Sequence, residues 1–211
     1  MKSIYNSFKI ILVFILFLSW INTQIIAKEV SQSEPEDLKV YVSTLVKESF
    51  KILNDKTTSA TSKTAEVKKM IGDNLDLVQM SDFVLGVHRR NLTDAEKKEF
   101  YNAFSQYIIS FYTNAVKLYD GQELEVGGVV QQSDDTYLVK VLVTQNSSEK
   151  QLKINYMVHK VGKGSFKIFD VITENYSLLN NHRALFNDFL QNGGFDRLMK
   201  ELHGLAASIN K

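Results

Sequence analysis

The 211-residue sequence contains no cysteine. Disulfide bonds are therefore excluded, and so is a thioether-linked lipid anchor, which needs a cysteine directly after a cleaved leader. A metal site has little support, because the four histidines (His88, His159, His182 and His203) fall on different predicted elements without the spacing of metal ligands. The glycine patterns of nucleotide-binding loops and the nucleophile elbow are also missing. We therefore expect no enzyme, no metal and no cofactor, and we interpret the histidines as solvated surface residues.

The charges have no dominant sign. The chain has 25 basic and 24 acidic residues, and loss of a leader carrying Lys2 and Lys9 changes these numbers to 23 and 24. Nucleic-acid binding depends on clustered Lys and Arg that neutralise phosphates. We therefore expect no nucleic-acid partner.

The N-terminus has the pattern of a secretory leader. Lys2 and Lys9 precede an apolar run over residues 10–26, and Ala27 is a small residue suited to the position before a signal-peptidase cut. An uncleaved anchor helix is the alternative, but polar residues such as Ser19 interrupt the run, which at 17 residues is at the short limit for spanning hydrocarbon. The sequence predicts a signal peptide over residues 1–27 and a single domain over residues 28–211.

The first half of the mature chain has helical periodicity. Predicted helices cover about residues 35–53, 65–74, 77–86 and 93–119, with residues 57–64 as a Ser/Thr-rich connector. Thr93 and Glu96 form a capping box at the start of the longest helix. That helix has an unusually wide apolar face, which is more often core than a ligand surface.

After Gly121 the apolar period changes to two, which predicts strands over about residues 124–130, 136–145, 150–160 and 166–173. Short, turn-rich links make neighbouring strands antiparallel. Pairing apolar with apolar residues places Val141 opposite Ile154, and Val158 opposite Ile168. The fold class predicted is α+β, with a twisted antiparallel four-stranded sheet whose single apolar face is covered by helices.

Continuing this register would place Ile172 opposite Ile154, and Asp170 opposite Tyr156 on the apolar side. A carboxylate there needs hydrogen-bond partners. We expect Asp170 to be a satisfied buried carboxylate, or a strand-end group near solvent, rather than a catalytic residue.

Two stretches resemble the MlaC family of periplasmic phospholipid-binding proteins. The first comprises residues 83–86 (Phe-Val-Leu-Gly), followed by Arg89, Arg90, Leu92, Thr93 and Phe100. The second comprises residues 166–171, 177–183, Phe186 and residues 193–195. Phe166 stands where we expect Trp and Asn175 where we expect Gly. The resemblance covers nearly the whole mature chain.

The resemblance implies an NTF2-like or MlaC-like fold that encloses a deep apolar pocket for acyl chains. It implies a soluble periplasmic carrier that moves phospholipid between an outer-membrane lipoprotein complex and an inner-membrane ABC transporter with an MCE-domain subunit. Such a carrier maintains the lipid asymmetry of the outer membrane. The rival hypothesis is an exported NTF2-like or cystatin-like interaction module with a filled core and no ligand; an enzyme of such a fold comes third.

The candidate lipid-binding residues follow from strand register and helix periodicity. The floor of the pocket would be formed by Val139, Val141, Val143, Ile154, Tyr156, Val158, Ile168 and Ile172. The helical wall would be formed by Leu85, Phe104, Ile108 and Phe111. Some of these positions are expected to be ordinary core.

Overall fold

The structure is a computed structural model that describes residues 33–117, 123–144, 151–174 and 176–209. The predicted leader lies outside these residues. The helices are α1 (Ser33–Asn54), α2 (Ala60–Asn74), α3 (Leu77–Leu85), a 3₁₀ helix (Gly86–Asn91), α4 (Asp94–Lys117) and α5 (Leu178–Ile209). The strands are β1 (Glu123–Gln131), β2 (Thr136–Thr144), β3 (Gln151–Gly162), β4 (Ser165–Thr173) and β5 (Tyr176–Ser177). No helix in the described part of the chain combines the length and apolarity needed to cross a membrane.

Side-chain caps fix where the helices begin. Thr93 and Glu96 form the predicted capping box, in which the Thr93 amide donates to Glu96 Oε2 at 2.7 Å and the Glu96 amide donates to Thr93 Oγ1 at 3.2 Å. Ser59 accepts from the Ser62 amide at 3.1 Å and starts α2. The prediction of a connector through residue 64 is therefore wrong, because the cap begins the helix at Ala60.

The sheet is antiparallel with the order β1-β2-β3-β4-β5. The predicted register between β2 and β3 is confirmed, with Val141 opposite Ile154 and Tyr137 opposite Val158. The fifth strand, of two residues, was not predicted because it is too short to carry a periodic signal. The α+β fold class is otherwise confirmed.

The predicted register between β3 and β4 fails halfway along the hairpin. Val158 faces Ile168 as expected, but Met157 faces Asp170, so β4 has one extra residue at this point. This β-bulge reverses the two faces of the rest of the strand. Consequently Val171 faces Tyr156, and Ile172 faces Asn155 on the reverse side. A similar irregularity occurs in β1 between Val126 and Val129, at Gly127 and Gly128.

Asp170 is buried and its carboxylate has hydrogen-bond partners, so the first of the two expectations, a satisfied buried carboxylate, is confirmed. Its Oδ1 accepts from the amides of Val171 at 2.8 Å and Leu179 at 3.0 Å, and its Oδ2 accepts from Ser177 Oγ at 2.6 Å. Ser177 Oγ in turn accepts from the Asn180 amide at 2.9 Å. These bonds tie the bulged strand to the first turn of α5.

The helices cover the apolar face of the sheet. α1 lies across β1, and α4 contacts α2, α3 and α5. α5 breaks at Gly194, where φ is 67° and ψ is −162°, a backbone conformation that favours glycine. The buried side chains form one contiguous core.

The two stretches that resemble the MlaC motifs meet in space. Gly86 ends α3 with a φ of 52°, and a Cβ built there would lie 3.1 Å from Nη2 of Arg183. The Arg183 guanidinium lies over the ring of Phe83, 4.8 Å from its centroid. The positive φ therefore favours glycine at this position, and any other residue would also have to displace the Arg183 guanidinium slightly.

An apolar cavity as the candidate functional site

A cavity of about 560 Å³ lies between the sheet and helices α1, α2 and α4. From the helices and the residue after α2 it is lined by Val42, Leu45, Val46, Ser49, Phe50, Leu53, Met70, Ile71, Asn74, Leu75, Phe111, Tyr112, Ala115 and Leu178. From the strands it is lined by Leu124, Val143, Leu152, Ile154, Tyr156, Ile168, Val171 and Thr173. Its volume lies within the range of small-molecule binding pockets.

Two polar side chains of the wall are occupied by bonds to the protein. Ser49 donates to the Leu45 carbonyl at 2.7 Å, and Asn74 donates from Nδ2 to the Met70 carbonyl at 2.8 Å. The Asn74 Oδ1 accepts from Tyr41 at 3.1 Å. The cavity wall is therefore predominantly apolar, and is suited to hydrocarbon.

The exposure of the lining residues defines a closed end and a mouth. Val42, Leu75 and Ile168 are the most buried of the lining residues, at most 8% exposed, and we call the side of the cavity that they form the closed end. Leu152, at the start of β3, is 40% exposed, and Ala115 near the end of α4 is also exposed. We call this more exposed side of the cavity, beside the first residues of β3, the mouth.

Five of the twelve residues predicted from the sequence line this cavity, namely Phe111, Val143, Ile154, Tyr156 and Ile168. The other seven, Leu85, Phe104, Ile108, Val139, Val141, Val158 and Ile172, are not part of its lining. Six of these seven are at most 1% exposed and belong to the close-packed core. Ile172 is displaced by the β4 bulge, which brings Val171 and Thr173 to the cavity instead.

Aromatic rings fill the core around Phe104, one of the predicted residues that do not line the cavity. Phe100 stacks on Phe104 with centroids 5.4 Å apart, and Phe186 of α5 meets the Phe104 ring edge-on at 5.9 Å. Phe104 is fully buried. The wide apolar face of α4 is thus divided: its N-terminal part fills core, and its C-terminal part, with Phe111 and Tyr112, lines the cavity.

Sequence reasoning missed the contribution of α1 and α2, which supply nine of the 22 lining residues. The signal was present, because Val42, Leu45 and Ser49 lie on one face at helical spacing. That spacing predicts a buried helix face, but it does not distinguish a face packed against other side chains from a face that lines a cavity.

The phenols around the cavity are neutral. Burial raises the pKa of Tyr156, and burial together with the charge of Asp170 raises the pKa of Tyr112. Burial also raises the pKa of Asp170, against the lowering effect of its hydrogen bonds. The Tyr112 hydroxyl is buried and has no hydrogen-bond partner among the described residues. In the part of the chain that the structure describes, no cluster of His, Asp and Glu could hold a metal ion.

His182 is a buried histidine behind the cavity wall, so its interpretation as a surface residue is wrong. It is 8% exposed and is enclosed by Phe104, Tyr107, Phe111 and Phe186, with ring centroids 5.4 to 6.4 Å away. Its Nε2 is buried without a partner among the described residues. Burial lowers the pKa of His182 to about 4.

This burial predicts a loss of stability in acid. As pH falls from about 6.5 to about 4, the unfolded chain protonates His182 whereas the folded protein does not, so the free energy of unfolding decreases by up to about 3 kcal/mol. His182→Phe removes this term, so the variant should lose less stability than the wild type over that interval. Urea unfolding at a series of pH values measures the difference. Exposed His203→Phe is the control, and equal pH dependence in wild type and His182→Phe would contradict the assignment.

The sequence model of the MlaC protein family matches residues 43–204. The chain belongs to the MlaC family. A solved structure supports the MlaC fold: the phospholipid-binding protein from Ralstonia solanacearum, determined in complex with a phospholipid, superposes with a TM-score of 0.69. The two sequences are 19% identical, and the superposition covers 82% of this chain and 98% of the other.

Proposed function

We propose that this chain is a phospholipid carrier that holds acyl chains in the apolar cavity. The observation that carries the proposal is the cavity itself, about 560 Å³ in volume and lined mainly by apolar side chains. Membership of the MlaC family and the fold shared with a protein solved in complex with a phospholipid support it. The rival hypothesis, an interaction module with a filled core, does not account for such a cavity, since protein interiors are normally close-packed.

The free energy of hydrocarbon transfer explains why a carrier is needed. A chain of about fifteen methylenes costs about 12 kcal/mol to expose to water, at about 0.8 kcal/mol each. Side chains such as Leu45, Phe50 and Ile154 offer an environment that avoids this cost. In this proposal the protein carries lipid by burying its acyl chains against apolar side chains, and no covalent step is needed.

The proposed route of transport lies in the periplasm, after removal of residues 1–27. The carrier would exchange lipid with an outer-membrane lipoprotein complex and with an inner-membrane ABC transporter that has an MCE-domain subunit. Its role would be to maintain the lipid asymmetry of the outer membrane. These partners follow from the family resemblance.

Residues 28–211 purified without detergent should retain phospholipid at near-stoichiometric level. Dissociation would expose the acyl chains to water, so bound lipid is expected to survive purification. Organic extraction followed by mass spectrometry measures the amount. Only trace lipid, in protein shown by circular dichroism to be folded, would favour the interaction module instead.

A further inference from the structure

We propose that Leu75 and Ile168 set the longest acyl chain that the cavity accepts, so that the closed end acts as a ruler. The inference rests on the proposed function, and it adds the two specificity-determining residues and the class of chain that they select. Both residues line the cavity, and they are 8% and 6% exposed.

The closed end is held by backbone bonds. Leu75 and Ile168 form a parallel β-bridge, and the Asp76 amide donates to the Ile168 carbonyl at 2.8 Å. The Asp76 carboxylate accepts from the Gln79 amide at 2.9 Å, and its other oxygen lies 2.9 Å from Nε2 of His159 on β3. The junction between α2 and α3 is thus bonded to β3 and β4. A longer ligand could displace it only by breaking these hydrogen bonds.

Strand β3 gives the distance between the mouth and the closed end of the cavity. Leu152 marks the mouth, and Ile168 lies opposite Val158, six residues further along β3. Six residues of strand span about 20 Å at about 3.3 Å each. A chain of carbon–carbon bonds of about 1.5 Å at tetrahedral angles advances about 1.25 Å per carbon, so about 16 carbons fill this distance. Further methylenes would remain in water, and each would forgo about a fourfold gain in affinity.

The test measures binding of phosphatidylglycerols that share one headgroup and differ in chain length in two-carbon steps on either side of about 16 carbons. Delipidated wild type should gain affinity with length up to about 16 carbons and gain nothing beyond it. Leu75→Ala removes three side-chain carbons, so its limit should move up by about two carbons, with at least a severalfold gain for the longer lipid. Ile168→Phe should move the limit down.

Leu198→Ala is the matched control, because Leu198 is fully buried and does not line the cavity. It should keep the wild-type length profile even if it lowers stability. Unchanged profiles in both Leu75→Ala and Ile168→Phe would overturn the ruler and leave the lipid-carrier proposal intact. If Leu75→Ala does not fold, the profile of Ile168→Phe decides alone. Wild-type protein that binds no lipid of any length would instead refute the proposed function, and the ruler with it.

Discussion

Val143→Trp should bind at least tenfold less phospholipid than the wild type and should still unfold in one cooperative transition. Val143 lines the cavity near its mouth and is only partly buried. The indole can extend into the cavity, where it displaces at least three methylenes of ligand at about 0.8 kcal/mol each. Extraction with mass spectrometry measures the lipid, and calorimetry measures the transition.

Val141→Trp is the matched comparison, because Val141 lies two residues earlier on the same strand and on the same face. It is 1% exposed and does not line the cavity. An indole there overpacks the core and should destabilise the protein by about 1–3 kcal/mol or more. If Val141→Trp instead folds normally without lipid while Val143→Trp unfolds, then Val141 lines the cavity and Val143 belongs to the core, which would contradict both assignments.

Asp170→Leu should lower the free energy of unfolding by about 3–5 kcal/mol. The substitution leaves the buried Val171 and Leu179 amides and the Ser177 hydroxyl without their acceptor, and each unsatisfied donor costs about 1–3 kcal/mol. The loss should appear as a lower midpoint in urea unfolding with an unchanged slope.

Asp170→Asn separates hydrogen bonding from charge. The amide oxygen can still accept from both backbone donors, and burial already raises the pKa of Asp170 toward the neutral form. This variant should therefore retain most of the stability that Asp170→Leu loses. Equal losses in the two variants would show that the negative charge, rather than the acceptor, stabilises the start of α5.

The fold could be predicted where one physical signal acts alone. The register between β2 and β3 could be predicted because Lys140 beside Val141 and Lys153 beside Ile154 mark the opposite face as polar. β4 gives no such signal: uninterrupted alternation would put Phe169 and Val171 on one face and Ile168 and Ile172 on the other, and these two sets are equally apolar. The bulge in that strand therefore has no signature in the alternation, and the predicted face was wrong beyond Ile168.

The cavity was less predictable than the sheet for a different reason. Core and cavity both select apolar side chains, so Val141 and Val143 are equivalent in the sequence. What separates them is whether another element fills the space opposite, and that depends on packing among distant parts of the chain. Aromatic rings such as Phe104 and Phe186 fill one region of the interior, whereas α1 is placed so that the neighbouring region stays open.

The inner face of α1 has two kinds of neighbour. Leu38 in its first half is packed against protein, whereas Leu45, Phe50 and Leu53 further along meet the cavity. In the proposed carrier, lipid would complete the hydrophobic layer beneath this helix, so that lipid and helix would stabilise each other. By linkage, lipid at a hundredfold excess over its dissociation constant would add about 2.7 kcal/mol to the stability of the folded state. In the proposed carrier, displacement of α1 would therefore weaken lipid binding, and loss of the lipid would weaken the packing of α1.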